Sequence, residues 1–173
     1  EIEIRITSIT IGNESSRNII KHSLALGVDD AIVLCHSEFE ESDSYGVAYS
    51  LANAIQTLGD VDLVLTGRQA ADFDSGVVGV GIAELLNIPS ITFAKKIDVV
   101  DDILSVTRVL VDGLEKLEVS LPALVTVAHE IGNVRKASLR ETMRAAKKPV
   151  LTWGPSDIGI KSSEIGKCAT RRS

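Results

Sequence analysis

Aromatic residues and cysteines are scarce in this sequence. Only 3% of its residues are aromatic, although 45% are hydrophobic. The core must therefore consist of Ile, Val, Leu and Ala, a composition typical of parallel sheets covered by helices. The two cysteines, Cys35 and Cys168, are isolated and lack the spacing of metal ligands. The sequence therefore predicts a reduced, intracellular protein without a metal site.

An excess of positive charge and long apolar runs are also missing. The 173 residues include 24 acidic and 18 basic ones, a net charge of -6, which argues against a general nucleic-acid surface. The chain has no apolar run long enough for a membrane span, and residues 1–6 lack the basic start and apolar stretch of a signal peptide. The length is that of about one domain.

Sequence signatures of several enzyme classes are absent. The chain contains no GxxxxGKS or GxxxxGKT phosphate loop, no GxGxxG dinucleotide fingerprint and no GxSxG nucleophile elbow. Asp72 and Asp74 are better explained by a turn and a helix cap than by metal binding, with Asp74 or Ser75 as the cap. We therefore predict no catalytic side chains, which argues against an adenine-nucleotide hydrolase or ligase.

Strand and helix patterns alternate in the first half of the chain. Strands are predicted at residues 4–11, 31–35, 61–65 and 90–94, and helices at residues 14–26, 44–58 and 76–86. This alternation predicts an α/β fold with a mostly parallel sheet and right-handed crossovers.

The second half changes character. Residues 103–111 and 116–121 predict a β-hairpin joined by residues 112–115, since Asp-Gly between two β-rich segments favours a turn. A strand at 124–128 and a short helix at 138–146 follow. The polar chain from Leu151 predicts an extended arm outside the core. We therefore expect an α/β domain at residues 1–150 and an arm at residues 151–173.

Residues 61–89 are the most informative segment, because they predict a buried strand, a polar loop and a helix. This arrangement binds ligands at the carboxyl edge of an open α/β sheet, where the first amides and the dipole of the helix favour an anion. Gly76 and Gly79 have no Cβ, so a phosphate can approach the backbone closely. The alternative interpretation is an ordinary crossover loop.

A basic stretch follows the last predicted core strand. Residues 135–148 contain six Lys or Arg and one Glu. The stretch is either a solvated helix face or a docking surface. Within it, Leu139 is either a core contact of the helix or an exposed anchor for a partner.

Several segments together resemble one known family, the electron transfer flavoprotein beta subunits. They are the loop at 66–74 with the helix end at 83–89, residues 23–29, the hairpin and strand at 106–126, and residues 137–148. The resemblance covers about residues 4–160. It implies a three-layer sandwich with a Rossmann-like, adenine nucleotide alpha hydrolase-like sheet, a β-hairpin and an extended C-terminal arm. It also implies that a strand–helix unit before this segment and part of the C-terminal tail are missing.

The resemblance further implies a nucleotide site that holds AMP, or FAD in bifurcating members. The residues that it assigns to this site are Ile11, Gly67, Arg68, Gln69, Ala70, Asp72, Asp74, Ser75, Gly76, Val77 and Val78. The chain departs from the family where the helix begins, since Gly76, Val77 and Val78 have no polar side chain. We therefore expect backbone amides to hold the phosphates.

The resemblance also implies partners and a location. An alpha subunit carries the main FAD and forms a heterodimer with the beta subunit, and Leu139, Arg140 and Met143 contact a flavoprotein dehydrogenase such as an acyl-CoA dehydrogenase. Electrons pass from that dehydrogenase to an acceptor, in the cytoplasm of a prokaryote or the mitochondrial matrix of a eukaryote. The alternative is a standalone nucleotide-binding regulator of the universal-stress type, which leaves the hairpin and the Leu139 segment unexplained.

Overall fold

The computed structural model describes residues 4–40, 42–69, 75–161 and 164–165. The strands are β1 Thr7–Ile11, β2 Asp30–Leu34, β3 Leu63–Gly67, β4 Ser90–Val100, β5 Ile103–Leu110, β6 Gly113–Ser120, β7 Ala123–Val127 and β8 Leu151–Trp153. The α-helices are α1 Arg17–Ala25, α2 Ser37–Glu40, α3 Ser44–Leu58, α4 Val78–Leu86 and α5 Leu139–Lys147. The chain forms two compact units, Glu1–Leu51 with Val134–Ser173, and Ala52–Asn133.

The first unit contains a parallel sheet of three strands in the order β1-β2-β8. Its core lies where α1 packs on β2 and α5. The buried members of this core are Ile20, Leu24, Ala25, Ala31, Val33 and Ala145. Gly27, with φ 114°, follows the last turn of α1 as expected for a left-handed helix stop.

The second unit contains a five-stranded sheet in the order β3-β7-β4-β5-β6. Strands β3, β7 and β4 run parallel, and β4, β5 and β6 continue as an antiparallel meander. α4 packs on β7 and ends at Asn87, whose φ of 54° terminates the helix. The buried core of this sheet consists of Ile91, Ala94, Leu104, Val106, Ala123 and Val125. Helices and parallel strands in both units confirm the predicted α/β class.

Several predicted helix and strand boundaries differ from those of the structure, three of them with a clear physical reason. The first helix begins at Arg17, because a 3-10 turn at Glu14–Ser16 precedes it, and Asn13 caps that turn by accepting a hydrogen bond from the Ser15 amide at 3.0 Å. Strand β4 extends to Val100 instead of ending at residue 94. The turn between β5 and β6 consists of residues 111–112, so residues 113–115 belong to β6.

The C-terminal segment is part of the first unit in its described residues. β8 pairs in parallel with β2, and Ile158, Ile160 and Ile165 are buried. The expectation that the chain from Leu151 lies outside the core is therefore wrong for these residues, because β8 extends the sheet and the isoleucines after it are buried. None of the described helices is long and apolar enough to cross a membrane.

Candidate functional site

The predicted nucleotide loop leaves the sheet at the carboxyl end of β3. Gly67 is the last residue of this strand, and the Arg68 amide donates a hydrogen bond to the carbonyl of Val127, the last residue of β7, at 2.9 Å. β3 and β7 therefore end together, and the loop begins at the carboxyl edge of the parallel strands, where α/β sheets bind ligands.

The two ends of the loop lie close together. Ala70, Asp72 and Asp74 fall outside the described residues. On the described sides, a Cβ built on Gly76 would lie 3.5 Å from the Arg68 carbonyl oxygen and 3.9 Å from the Gln69 Cβ. Gly76 has φ 61°, a left-handed conformation that a side chain would strain. The loop therefore returns to its starting point just before α4.

α4 begins two residues later than predicted and has no side-chain cap. Val77 is its N-cap residue and Val78 its first residue, and no side chain accepts a hydrogen bond at this cap. Of the two predicted caps, Asp74 lies outside the described residues and Ser75 is not the N-cap residue, since the left-handed Gly76 ends the loop and places Val77 at the cap. The Val77 side chain has no acceptor for the amides of the first turn, and amides at the start of a helix are a preferred environment for a phosphate.

The two glycines of this segment serve different purposes. A Cβ on Gly79 would lie 2.4 Å from the Thr66 hydroxyl oxygen and 3.1 Å from the Thr126 methyl carbon. Gly79 is also buried. Its missing side chain therefore allows α4 to pack closely on β3 and β7. Gly79 faces the sheet and not the loop, so the prediction that a phosphate approaches its backbone is wrong. Of the two glycines, only Gly76 borders the loop.

The Arg68 side chain contacts two residues that sequence analysis did not identify. Its guanidinium carbon lies 5.4 Å from the centre of the Phe93 ring, and its Nη1 lies 3.6 Å from the Glu130 carboxylate. Phe93 lies at a bulge of β4, where the register with β7 shifts between Ile91 and Ala94. The sequence contains no signal for this bulge, because Ile91 and Phe93 fit the alternation of a regular strand.

The remaining predicted nucleotide residue, Ile11, belongs to the first unit. It is the last residue of β1 and is half-buried. The next amide, that of Gly12, donates a hydrogen bond to the Leu34 carbonyl at the end of β2. Ile11 therefore lies at the carboxyl edge of its own sheet, the edge at which a ligand contact is expected.

The second predicted surface is helix α5, which has a complete N-terminal cap. The Glu141 amide donates to the Ser138 hydroxyl at 3.3 Å, and the Ser138 amide donates to the Glu141 carboxylate at 2.7 Å. These bonds form a capping box. The hydrogen bond from the Ser138 amide, with those from the Ser138 and Arg135 side chains, lowers the pKa of Glu141 to about 2.

The outer face of α5 is apolar at its centre and basic around it. Leu139 is 79% exposed and Met143, one turn later, is 60% exposed. Arg140, Arg144 and Lys147 flank them on the same face. Ala145 is the buried residue of the helix. Leu139 is therefore not a core contact of the described residues, and its role as an anchor stays a prediction.

Two of the six cations in this stretch stabilise the first unit instead. Arg135 donates to the carbonyls of Leu26 and Ala25, at the end of α1, at 3.0 and 3.3 Å. Lys148 donates to the carbonyls of Val28 and Asp29 at 2.9 and 3.1 Å. The basic docking surface that the sequence predicts around Leu139 is therefore limited to the cations on the exposed face of α5.

Comparison with known proteins supplies the family. Residues 2–158 match the electron transfer flavoprotein domain. The chain is 35% identical to the caffeyl-CoA reductase-Etf complex subunit CarD of Acetobacterium woodii, with 91% of this chain and 60% of that protein covered. It is 34% identical to the electron transfer flavoprotein subunit beta of Clostridium acetobutylicum, with 93% and 62% covered.

A third relative is Protein FixA of Azorhizobium caulinodans, 31% identical over 97% of this chain and 62% of that protein. The chain thus spans about three fifths of the length of these relatives. The match covers β1 to β8 and includes both predicted surfaces. The chain therefore belongs to the electron transfer flavoprotein family, with beta-subunit and FixA proteins as its relatives.

Proposed function

We propose that this chain is the nucleotide-binding part of an electron transfer flavoprotein beta subunit, and that it binds an adenine nucleotide at the loop after β3. The observation that carries the proposal is the geometry of this loop. Its two ends meet beside the first turn of α4, and that helix has no side-chain cap. Free amides at a helix start are a preferred environment for a phosphate.

The proposed ligand is AMP, or FAD if the protein bifurcates electrons. Gly76, Val77 and Val78 offer no side-chain hydrogen bond. The phosphate is therefore held by backbone amides, each charge-assisted bond contributing roughly 1.5–3 kcal/mol. AMP and FAD share the adenosine and its phosphate, so the same loop accommodates both.

The proposed role is electron transfer without catalytic side chains of its own. An alpha subunit supplies the FAD that carries the electrons, and the exposed face of α5, with Leu139, Arg140 and Met143, contacts the flavoprotein dehydrogenase. The exposure of Leu139 and Met143 between cations supports this docking face. Family membership disfavours the alternative of a standalone regulator of the universal-stress type.

The loop is tested by replacing Gly76 with Val in the full-length, nucleotide-free protein. A branched side chain beside the loop obstructs the phosphate, so we expect AMP and FAD binding in titration calorimetry to weaken at least tenfold. Gly59→Val is the matched control, because Gly59 also has a left-handed φ of 82° but has open space around its Cβ position. Equal nucleotide binding by both variants would place the site elsewhere.

A further inference from the structure

Phe93 has a backbone conformation that is rare for its residue type. Its φ is 61°, although it is neither Gly, Asn nor Asp. Its amide leaves the strand ladder and donates to the Thr126 hydroxyl at 3.1 Å, and Thr126 is only 2% exposed. A buried hydrogen-bond partner therefore fixes this strained conformation, and such conformations concentrate at functional sites.

The bulge determines where the Phe93 ring lies. In a regular strand, Phe93 would share the face of Ile91, which is buried, because residues two apart point to the same side. The bulge turns the ring outward instead, and it remains 43% exposed. In this position the ring contacts the Arg68 guanidinium, whose central carbon lies 5.4 Å from the ring centre.

Arg68 is the only Lys or Arg in residues 22–94. Its ion pair with Glu130, at 3.6 Å, is longer than a hydrogen bond. Toward the described residues, the guanidinium donates no hydrogen bond. The ring of Phe93 and the carboxylate of Glu130 thus restrain the guanidinium, and no described residue accepts a hydrogen bond from its N–H groups. A guanidinium fork binds two oxygens of one phosphate.

We propose that Phe93 is a positioning residue that holds Arg68 for the phosphate of the bound nucleotide. This inference rests on the proposed nucleotide function. The bulge, the buried Thr126 hydroxyl and the exposed ring act together: Thr126 fixes the backbone of Phe93, and Phe93 fixes the side chain of Arg68. A phosphate bound at the loop then meets one cation in a set position.

Three variants of the full-length protein test this role. Phe93→Leu keeps an apolar side chain but removes the aromatic face. Phe93→Asn also removes the ring and tolerates the left-handed backbone, so it folds even if Phe93→Leu does not. Phe93→Tyr is the conservative control, because it keeps the face. Two properties are measured: nucleotide affinity by titration calorimetry with AMP and FAD, and the rate of tryptic cleavage after Arg68 without nucleotide.

We expect Phe93→Leu and Phe93→Asn to weaken nucleotide binding by roughly threefold to tenfold, the range that loss of a cation–π contact provides. Both should accelerate cleavage after Arg68, and Phe93→Tyr should match the wild type. Unchanged affinity and cleavage in Phe93→Leu and Phe93→Asn, or equal loss in Phe93→Tyr, overturns the inference. A wild-type protein that binds neither nucleotide overturns the proposed function instead, and the cleavage rates still decide whether Phe93 holds Arg68.

Discussion

Gly79 shows how one missing side chain permits a helix to pack on a sheet. A methyl group there would overlap the Thr66 hydroxyl. Overpacking typically lowers the free energy of unfolding by about 1–3 kcal/mol. The better helix propensity of alanine offsets up to about 1 kcal/mol of this loss. We predict that Gly79→Ala lowers the free energy of unfolding by about 1–2 kcal/mol, measured by urea denaturation.

The matched control for this substitution is Gly67→Ala. A Cβ on Gly67 meets open space, and its backbone is compatible with alanine. We expect a change in unfolding free energy within about 0.5 kcal/mol. Similar losses in both variants would contradict the packing role of Gly79.

Leu139 is exposed, so its loss should leave stability intact. We predict that Leu139→Ala changes the free energy of unfolding by less than about 0.5 kcal/mol. Leu24→Ala, in the buried core of the first unit, should cost about 2–5 kcal/mol and calibrates the measurement. Stopped-flow kinetics with the dehydrogenase should then show slower electron transfer for Leu139→Ala alone. A large stability loss with normal electron transfer would contradict the docking role.

Cations from other segments of the first unit bind the carboxyl ends of α1 and α5. Lys21 of α1 donates to the carbonyls of Ala145 and Ala146 at 3.2 and 3.0 Å, and to that of Lys148. Arg135 serves the end of α1 in the same way. These cations satisfy carbonyls that have no partner within the helix and complement the helix dipole.

We predict that Lys21→Met destabilises the protein by roughly 1–3 kcal/mol, the range for charge-assisted hydrogen bonds. Lys147→Met is the matched control, because Lys147 lies on the exposed face of α5. It should change stability by less than about 0.5 kcal/mol. Thermal unfolding followed by circular dichroism measures the stability of both variants. Equal destabilisation by the two substitutions would contradict the stabilising role of the Lys21 hydrogen bonds.

The cap of α5 should make stability depend on pH in the acid range. The folded-state pKa of Glu141, about 2, lies below its ordinary value of 4.5. Its contribution is therefore fully present above pH 4.5 and is lost as the pH falls toward 2. The melting temperature of the wild type should fall more steeply than that of Glu141→Gln across this window. Parallel curves would contradict the charged cap.

Regular elements follow from the sequence better than their interruptions. The helical periodicity of residues 44–58 predicted α3 with its observed bounds. The hairpin between β4 and β5 was missed, because its turn is Asp101–Asp102, with φ of 48° and 62°, where glycine or asparagine is usual. The bulge at Phe93 depends on Thr126, which is 33 residues away in sequence. No local sequence pattern predicts such a long-range hydrogen bond.

At the scale of the whole molecule, both predicted surfaces are formed by segments that the sequence identified. Arg68 and Leu139 were predicted as contact residues, and these assignments remain proposals. The neighbours of these residues could be found only in the structure. Phe93 and Glu130 lie beside Arg68. Arg135 and Lys148 donate hydrogen bonds to backbone carbonyls of the first unit instead of surrounding Leu139. Side-chain partners distant in sequence decide these roles, and composition and periodicity do not encode them.

Assembly is the prediction that belongs to the whole protein. We expect the full-length chain to form a heterodimer with an alpha subunit. Light scattering after co-expression should show a 1:1 complex. A stable monomer that does not bind the co-expressed alpha subunit would contradict this expectation. Nucleotide binding at the loop after β3 would then be tested in the monomer.

The nucleotide at the loop after β3 is the central claim, and the mass of the ligand released from the purified full-length protein tests it most directly. The protein is denatured, and the released small molecules are identified by mass spectrometry. We predict AMP, or FAD in excess of the FAD that the alpha subunit binds. This nucleotide should be lost in Gly76→Val but not in Gly59→Val. A protein that releases no adenine nucleotide of its own, or whose Gly76→Val variant retains it in full, would contradict the claim.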